Sequence, residues 1–162
     1  MLLAWFDVYR VWPLQAPRQR IQAQIRGVAI SDWLDQLHAS DGSMREVAWL
    51  SLEPAKLLEK PLDGPLRGRR AVLPWVRSVL SDISGVMVSG QVVGQDAVLT
   101  IQPMAPDMAH AHADALVRFW LDGLSAPLPA ALQTCLAARQ DGGKPEEAYE
   151  GEKMRQIGRA HV

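Results

Sequence analysis

Val72, Trp75, Val76, Val79, Leu80 and Ile83 recur at intervals of three and four residues, which lines them along one side of an α-helix. This spacing predicts an amphipathic helix over Arg69–Ser84, with Pro74 tolerable only near its start and Gly85 as its stop. A helix that is apolar on one side must bury that side, and the flanking stretches supply a sheet for it to cover.

Ahead of the helix, Ile21, Ala23 and Ile25 alternate with Gln22, Gln24 and Arg26, the period of a half-buried strand. Val28, Ile30 and Trp33-Leu34 carry the extended reading onward, with Gly27 as a bulge or bend. Ser40-Asp41-Gly42-Ser43 is a turn cluster, and the chain returns over Glu46–Leu52, so an antiparallel hairpin is expected. Pro54 to Arg70 reads as loop around a short helical piece, Ala55–Lys60. Beyond Gly85, Val86–Val93 and Ala97–Ile101 form a second expected hairpin around Gly94-Gln95-Asp96. Pro106 and Asp107 open another helix, whose expected apolar stripe is Met108, Ala111, Ala115, Leu116, Phe119 and Trp120. After the rigid Ser125–Pro129 connection come a short helix near Leu132–Arg139, a Gly142-Gly143 break and a weakly helical Glu146–Glu150. The order predicts an α+β domain with helices packed on a mixed or antiparallel sheet.

Composition narrows the class. With 162 residues, 48% hydrophobic and 22% charged, the chain is globular and not disordered, collagenous or fibrous. Seventeen Lys and Arg against eighteen Asp and Glu leave a net charge of −1, which argues against a free-standing basic nucleic-acid binder. It leaves room for a chain that sits beside nucleic acid in a larger assembly. No apolar run reaches the roughly 18 residues of a membrane span, and the N-terminus is a poor signal peptide. A cytoplasmic location is expected. Cys135, the one cysteine, is expected to be a buried, inert thiol.

His110, His112 and Asp114 have metal-ligand spacing for a strand, but on a helix only His110 and Asp114 share a face, so a solvated surface is expected. His38 and His161 lack companion ligands. Arg67, Arg69 and Arg70, with Arg77 further along, form a basic cluster at a helix entrance and are the candidates for contact with DNA phosphate. Metal-dependent nucleases of the PD-(D/E)XK type place an Asp on one strand and an acid-x-Lys on the next, because Mg²⁺ needs convergent carboxylates. Here Asp32 and Asp35 lie on or near the first strand, but no acid precedes a Lys by two on the second. The nearest pair, Glu53 and Lys56, is spaced by three and straddles Pro54. No glycine-rich phosphate loop is present, and Gly85, Gly90 and Gly94 are hairpin glycines. No catalytic residue, metal or cofactor is expected.

Several stretches together carry a resemblance: Gly27-Val-Ala-Ile-Ser-Asp-Trp-Leu34 with Asp41-Gly42 and Arg45, then Leu73-Pro-Trp75. Asp122-Gly-Leu-Ser-Ala-Pro-Leu-Pro129 and Ala148-Tyr-Glu-Gly151 follow in order. Over about Arg20–Gly151 the chain resembles the C-terminal domain of RecC, the gamma subunit of exodeoxyribonuclease V, the RecBCD helicase–nuclease. The resemblance implies a degenerate PD-(D/E)XK nuclease-like fold without its active site, Asp35 standing near a vestigial metal position. It implies a domain that helps separate the incoming duplex and docks RecB-like and RecD-like subunits, with DNA inside the complex. It carries over no residue for ATP or for sensing a recombination hotspot.

The expected division is an unplaced segment over 1–19, the RecC-like domain over 20–151 and a non-native tail over 152–162. Ile157-Gly-Arg-Ala-His-Val162 reads like the translation of a sequencing adaptor, so the chain is expected to be a fragment of a longer subunit. Two alternatives stand beside this: a small Mg²⁺-dependent nuclease using Asp35, Glu53 and Lys56, and a stand-alone protein-binding module.

Overall fold

After a two-residue strand, β1 (Leu14–Gln15), the chain enters β2 (Gln19–Ile25) and reverses at once into β3 (Val28–Leu34). Arg26 (φ 49°) and Gly27 (φ 79°) make the reversal, both in the left-handed region that a two-residue hairpin turn with right-handed twist requires. Gly27 is therefore the corner of a hairpin and not a bulge within one long strand. Arg26 takes up a conformation that costs a non-glycine residue about 1–2 kcal/mol. Its guanidinium meanwhile grips Asp114 through two bonds, Nε to Oδ1 at 2.6 Å and Nη2 to Oδ2 at 2.9 Å. The register pairs Ile25 with Val28 and Arg20 with Trp33. It directs Ile21 and Ile25 to the buried side and leaves Trp33 on the exposed side.

The computed structural model describes residues 7–8, 10–60, 64–126, 132–139 and 143–149. The expected tail over 152–162, His161, residues 127–129 of the rigid connection, Gly142 and the Glu150-Gly151 end of the resemblance lie outside these residues. The chain divides into two compact units, 1–119 and 120–162.

In the first unit, β4 (Leu37–Ala39) and β5 (Val47–Leu52) form a hairpin at the expected Asp41-Gly42 turn, but its first strand is β4 and not the expected run ending at Leu34, which pairs within β2–β3 instead. The turn is closed by Asp41, whose carboxylate accepts the Ser43 N–H at 2.8 Å. β6 (Ser89–Val93) and β7 (Val98–Ile101) form the second hairpin. The five-stranded sheet runs β1-β4-β5-β6-β7, antiparallel throughout except where β5 and β6 pair in parallel, and β2-β3 is a separate two-stranded sheet. The fold is α+β with a mixed sheet and packed helices, as expected.

Helix α1 (Gly68–Ile83) provides the crossover between β5 and β6. Pro74 lies inside it and not at its start, so the Arg70 carbonyl forgoes its helical bond. The helix ends as predicted at Gly85 (φ 78°), where the Val86 and Gly85 N–H groups bond the Ser81 and Asp82 carbonyls at 3.0 and 3.1 Å. That cap holds Val86, so β6 begins only at Ser89. The buried side of α1 is partly polar: Ser78, Ser81 and Asp82 are buried beside Val79, while Leu73 is 77% exposed. The Gln22 N–H donates to Ser84 Oγ at 3.1 Å, tying the helix end to β2.

The expected helical piece Ala55–Lys60 is instead an irregular loop, closed by a bridge between Leu58 and Leu66. Asp96 explains it: its carboxylate takes the N–H groups of Leu57 and Leu58, which draws that backbone to the β6–β7 turn. Leu57 is buried against Gly94. Burial works to raise the Asp96 pKa, but these backbone donors and nearby Lys56 outweigh it and the net shift is downward.

The core joins Ile21, Leu34, Leu37, Trp49, Leu57 and Val92. Helix α2 (Pro106–Ser125) buries Ala109, Ala113 and Val117, not the expected stripe. Met108, Phe119 and Trp120 are exposed, because the helix presents its small side chains inward. In the second unit, α3 (Leu132–Arg139) falls where predicted and a helical stretch covers 145–149. Cys135 on α3 is exposed, contrary to the buried thiol expected. Among the described residues no helix is long and apolar enough to cross a membrane.

Candidate functional site

Between α1, the face of β5 and β6, and the end of β3 lies an open cleft of about 550 Å³. Its lining is built from strand alternation. Trp49, Ser51 and then Glu53 project from β5 and its end to one side, with Val92 beside them from β6. Trp49 lies over Gly90, which β6 pairs with it, and a Cβ there would collide with the indole. From α1, Leu73, Val76, Arg77 and Leu80 line the opposite wall, with Arg69 and Arg70 at the helix entrance. Asp32, Trp33 and Asp35 close the third side.

Three of the four candidate arginines therefore face the same cleft as three of the candidate carboxylates. Arg77 donates from Nη2 to the Asp35 carboxylate and to its main-chain oxygen, the latter at 3.0 Å. The same guanidinium carbon lies 5.2 Å from the centre of the Trp49 ring, a cation–π contact. Arg70 Nη1 donates to Glu53 Oε1 at 3.1 Å. Arg69 lines the cleft and, among the described residues, enters no ion pair. Arg67 does not line it; its Nε donates to the Leu58 carbonyl at 2.8 Å and stiffens the loop before α1.

The nuclease constellation does not assemble. Asp35 and Glu53 engage arginines, whereas Lys56 stands away from the cleft lining, within electrostatic reach of Asp96. Among the described residues, no group of three or more His, Cys, Asp or Glu side chains is placed to hold a metal ion. On α2, His112 and Asp114 are partly covered by contacts and do not form the solvated surface expected. His112 meets Trp75 edge-on, ring centres 5.2 Å apart, and the Arg26 hydrogen bond holds the Asp114 carboxyl below its ordinary pKa. His38 is buried on β4.

Sequence reasoning missed Trp33 as a cleft residue and, outside the lining, its contact with Arg18, whose guanidinium carbon lies 4.2 Å from the centre of the Trp33 ring. The signal was available. Once Arg26-Gly27 is taken as a two-residue turn, the register sets Trp33 opposite Arg20 on the outer face.

The family profile described as the RecC C-terminal domain matches residues 2–142. The chain belongs to the RecC C-terminal domain family. No curated protein matches it. The matched residues include the whole lining of the cleft. The Leu73-Pro-Trp75 segment of the resemblance sits on α1, where Leu73 and Pro74 line the cleft.

Proposed function

We propose that this RecC C-terminal domain is a non-catalytic part of a RecBCD-type, ATP-dependent helicase–exodeoxyribonuclease that acts in the cytoplasm in recombinational repair of double-strand breaks. In that assembly it docks the RecB-like and RecD-like subunits and guides a DNA strand, with its nuclease-like sheet serving as scaffold. The observation that carries the reading is the pairing of Asp35 with Arg77 and of Glu53 with Arg70. A divalent ion would have to displace both guanidinium groups to reach carboxylates that a nuclease needs open. Of the four candidate arginines, Arg69, and more remotely Arg67, lie outside these pairs and are proposed to meet phosphate.

The test has two arms. The purified chain with linear DNA and Mg²⁺ is expected to give no cleavage, and metal-dependent nicking abolished by Asp35→Ala would overturn the non-catalytic assignment. Co-expressed RecB-like and RecD-like subunits are expected to co-purify with the chain. Their failure to do so would remove the docking role.

A further inference from the structure

The exposed Trp33 lines the cleft but takes no part in its ion pairs. The residue is 46% exposed, carries the Arg18 guanidinium on its ring, and has Arg20 directly opposite on β2. Within the cleft the charges balance, since Arg69, Arg70 and Arg77 face Asp32, Asp35 and Glu53. Arg18 and Arg20 add an excess of positive charge on the Trp33 side, and among the described residues neither they nor Arg69 enters an ion pair. Leu73, 77% exposed, stands on the opposite wall as an apolar surface. An exposed aromatic flanked by unpaired guanidinium groups, beside a cleft within the roughly 300–1,000 Å³ range of small-molecule sites, suits a flat ring attached to an anion.

The geometry points to a stacking site for one unpaired base of single-stranded DNA: the base lies at the mouth of the cleft on the face of Trp33 opposite Arg18, and Arg69 with Arg20 holds the adjoining phosphates. This deepens the strand-guiding role proposed above and rests on it. Duplex DNA keeps its base faces stacked and offers no ring to Trp33. An acidic peptide would satisfy the arginines but would leave the indole unused.

The full chain titrated with a short fluorescent oligothymidylate tests this by anisotropy. Binding is expected, with Trp33→Ala weakening it about ten-fold and Trp33→Phe retaining most of the affinity. Arg69→Gln is expected to lower the slope of log affinity against log salt by about 0.7, one single-strand phosphate contact. An abasic strand of equal length is expected to bind as weakly as oligothymidylate binds Trp33→Ala. No binding, equal affinity for the abasic strand, or equal competition by polyglutamate would each overturn the site. Should Trp33→Ala fail to fold, the abasic strand and Arg69→Gln decide the matter. Co-purification with the partner subunits is read separately, so a missing base site and a missing assembly role give different results.

Discussion

The Trp49 indole fills the space above Gly90, its paired neighbour on β6, so closely that a Cβ on Gly90 would fall 2.6 Å from Cη2 and nearer still to Cζ2 and Cε2. Trp49 is fully buried. Gly90→Ala is therefore expected to cost about 1–3 kcal/mol, the usual range for overpacking, and to lower the thermal midpoint measured by circular dichroism. Trp49→Leu in the Gly90→Ala background is expected to be less harmful than the two single effects added together, because the smaller side chain removes the collision.

Arg77 joins the end of the β2–β3 hairpin to α1 through Asp35 while lying against Trp49. Asp35 is 64% exposed and Arg77 24%, so solvent screens much of the pair's attraction. A double-mutant cycle with Arg77→Met and Asp35→Ala should give a coupling of about 0.5–1 kcal/mol by chemical denaturation, falling with added salt. The single Arg77→Met change should exceed that coupling, because it also removes the contact with Trp49 and the bond to the Asp35 carbonyl.

Asp96 sets an acid-side dependence. Its folded pKa is depressed, so its stabilising contribution is present above the unfolded value of about 3.9 and is lost as pH falls through the folded value. Asp96→Asn should lower the thermal midpoint at neutral pH and flatten the decline on acidification. Amide exchange at Leu57 and Leu58 should quicken in the same variant, since their N–H groups lose a charged acceptor.

Asp82 behaves in the opposite sense. Burial pushes its pKa up, against the opposing hydrogen bond from the Met104 N–H at 3.0 Å. The folded state therefore holds this proton more tightly, and its contribution is most favourable below the unfolded pKa and declines as pH rises through the raised folded value. Asp82→Asn keeps an acceptor for Met104 and removes the buried charge. It should raise the thermal midpoint at pH 7 by a few degrees, about 1 kcal/mol for a chain of this size, and abolish that part of the pH dependence.

Much of the fold was legible because hydrophobic period and turn chemistry agree. The Asp41-Gly42 and Gly94–Asp96 hairpins, the Gly85 stop and α3 all follow from local signals. What escaped depends on contacts distant in sequence. The Arg26-Gly27 corner lacks the usual Asn or Asp, and Arg26 is held there in company with Asp114 on another element. On α2 the bulky residues suggested a core face, but close packing selected Ala109 and Ala113. The loop after β5 was read as helix because nothing nearby announces that Asp96 takes its amides. In the cleft, Arg69, Arg70, Arg77, Asp32, Asp35 and Glu53 are already candidates by residue type. Their pairing was not legible, because Asp35 and Arg77 meet only after α1 has crossed the sheet.

The parallel seam between β5 and β6 has a consequence for the order of assembly. β4-β5 and β6-β7 are each local hairpins that close short loops, whereas Ala48 meets Ser89 only after the whole crossover has been ordered. Loop-closure entropy thus favours two preformed half-sheets that join last along this line. Trp49 and Val92 lie on opposite sides of the join, so the recess they share comes into being only with that final step. A ribosome-bound chain still missing β6 would display Trp49 with nothing to rest on, and ligand capture by the cleft would report that synthesis and folding had both passed that point.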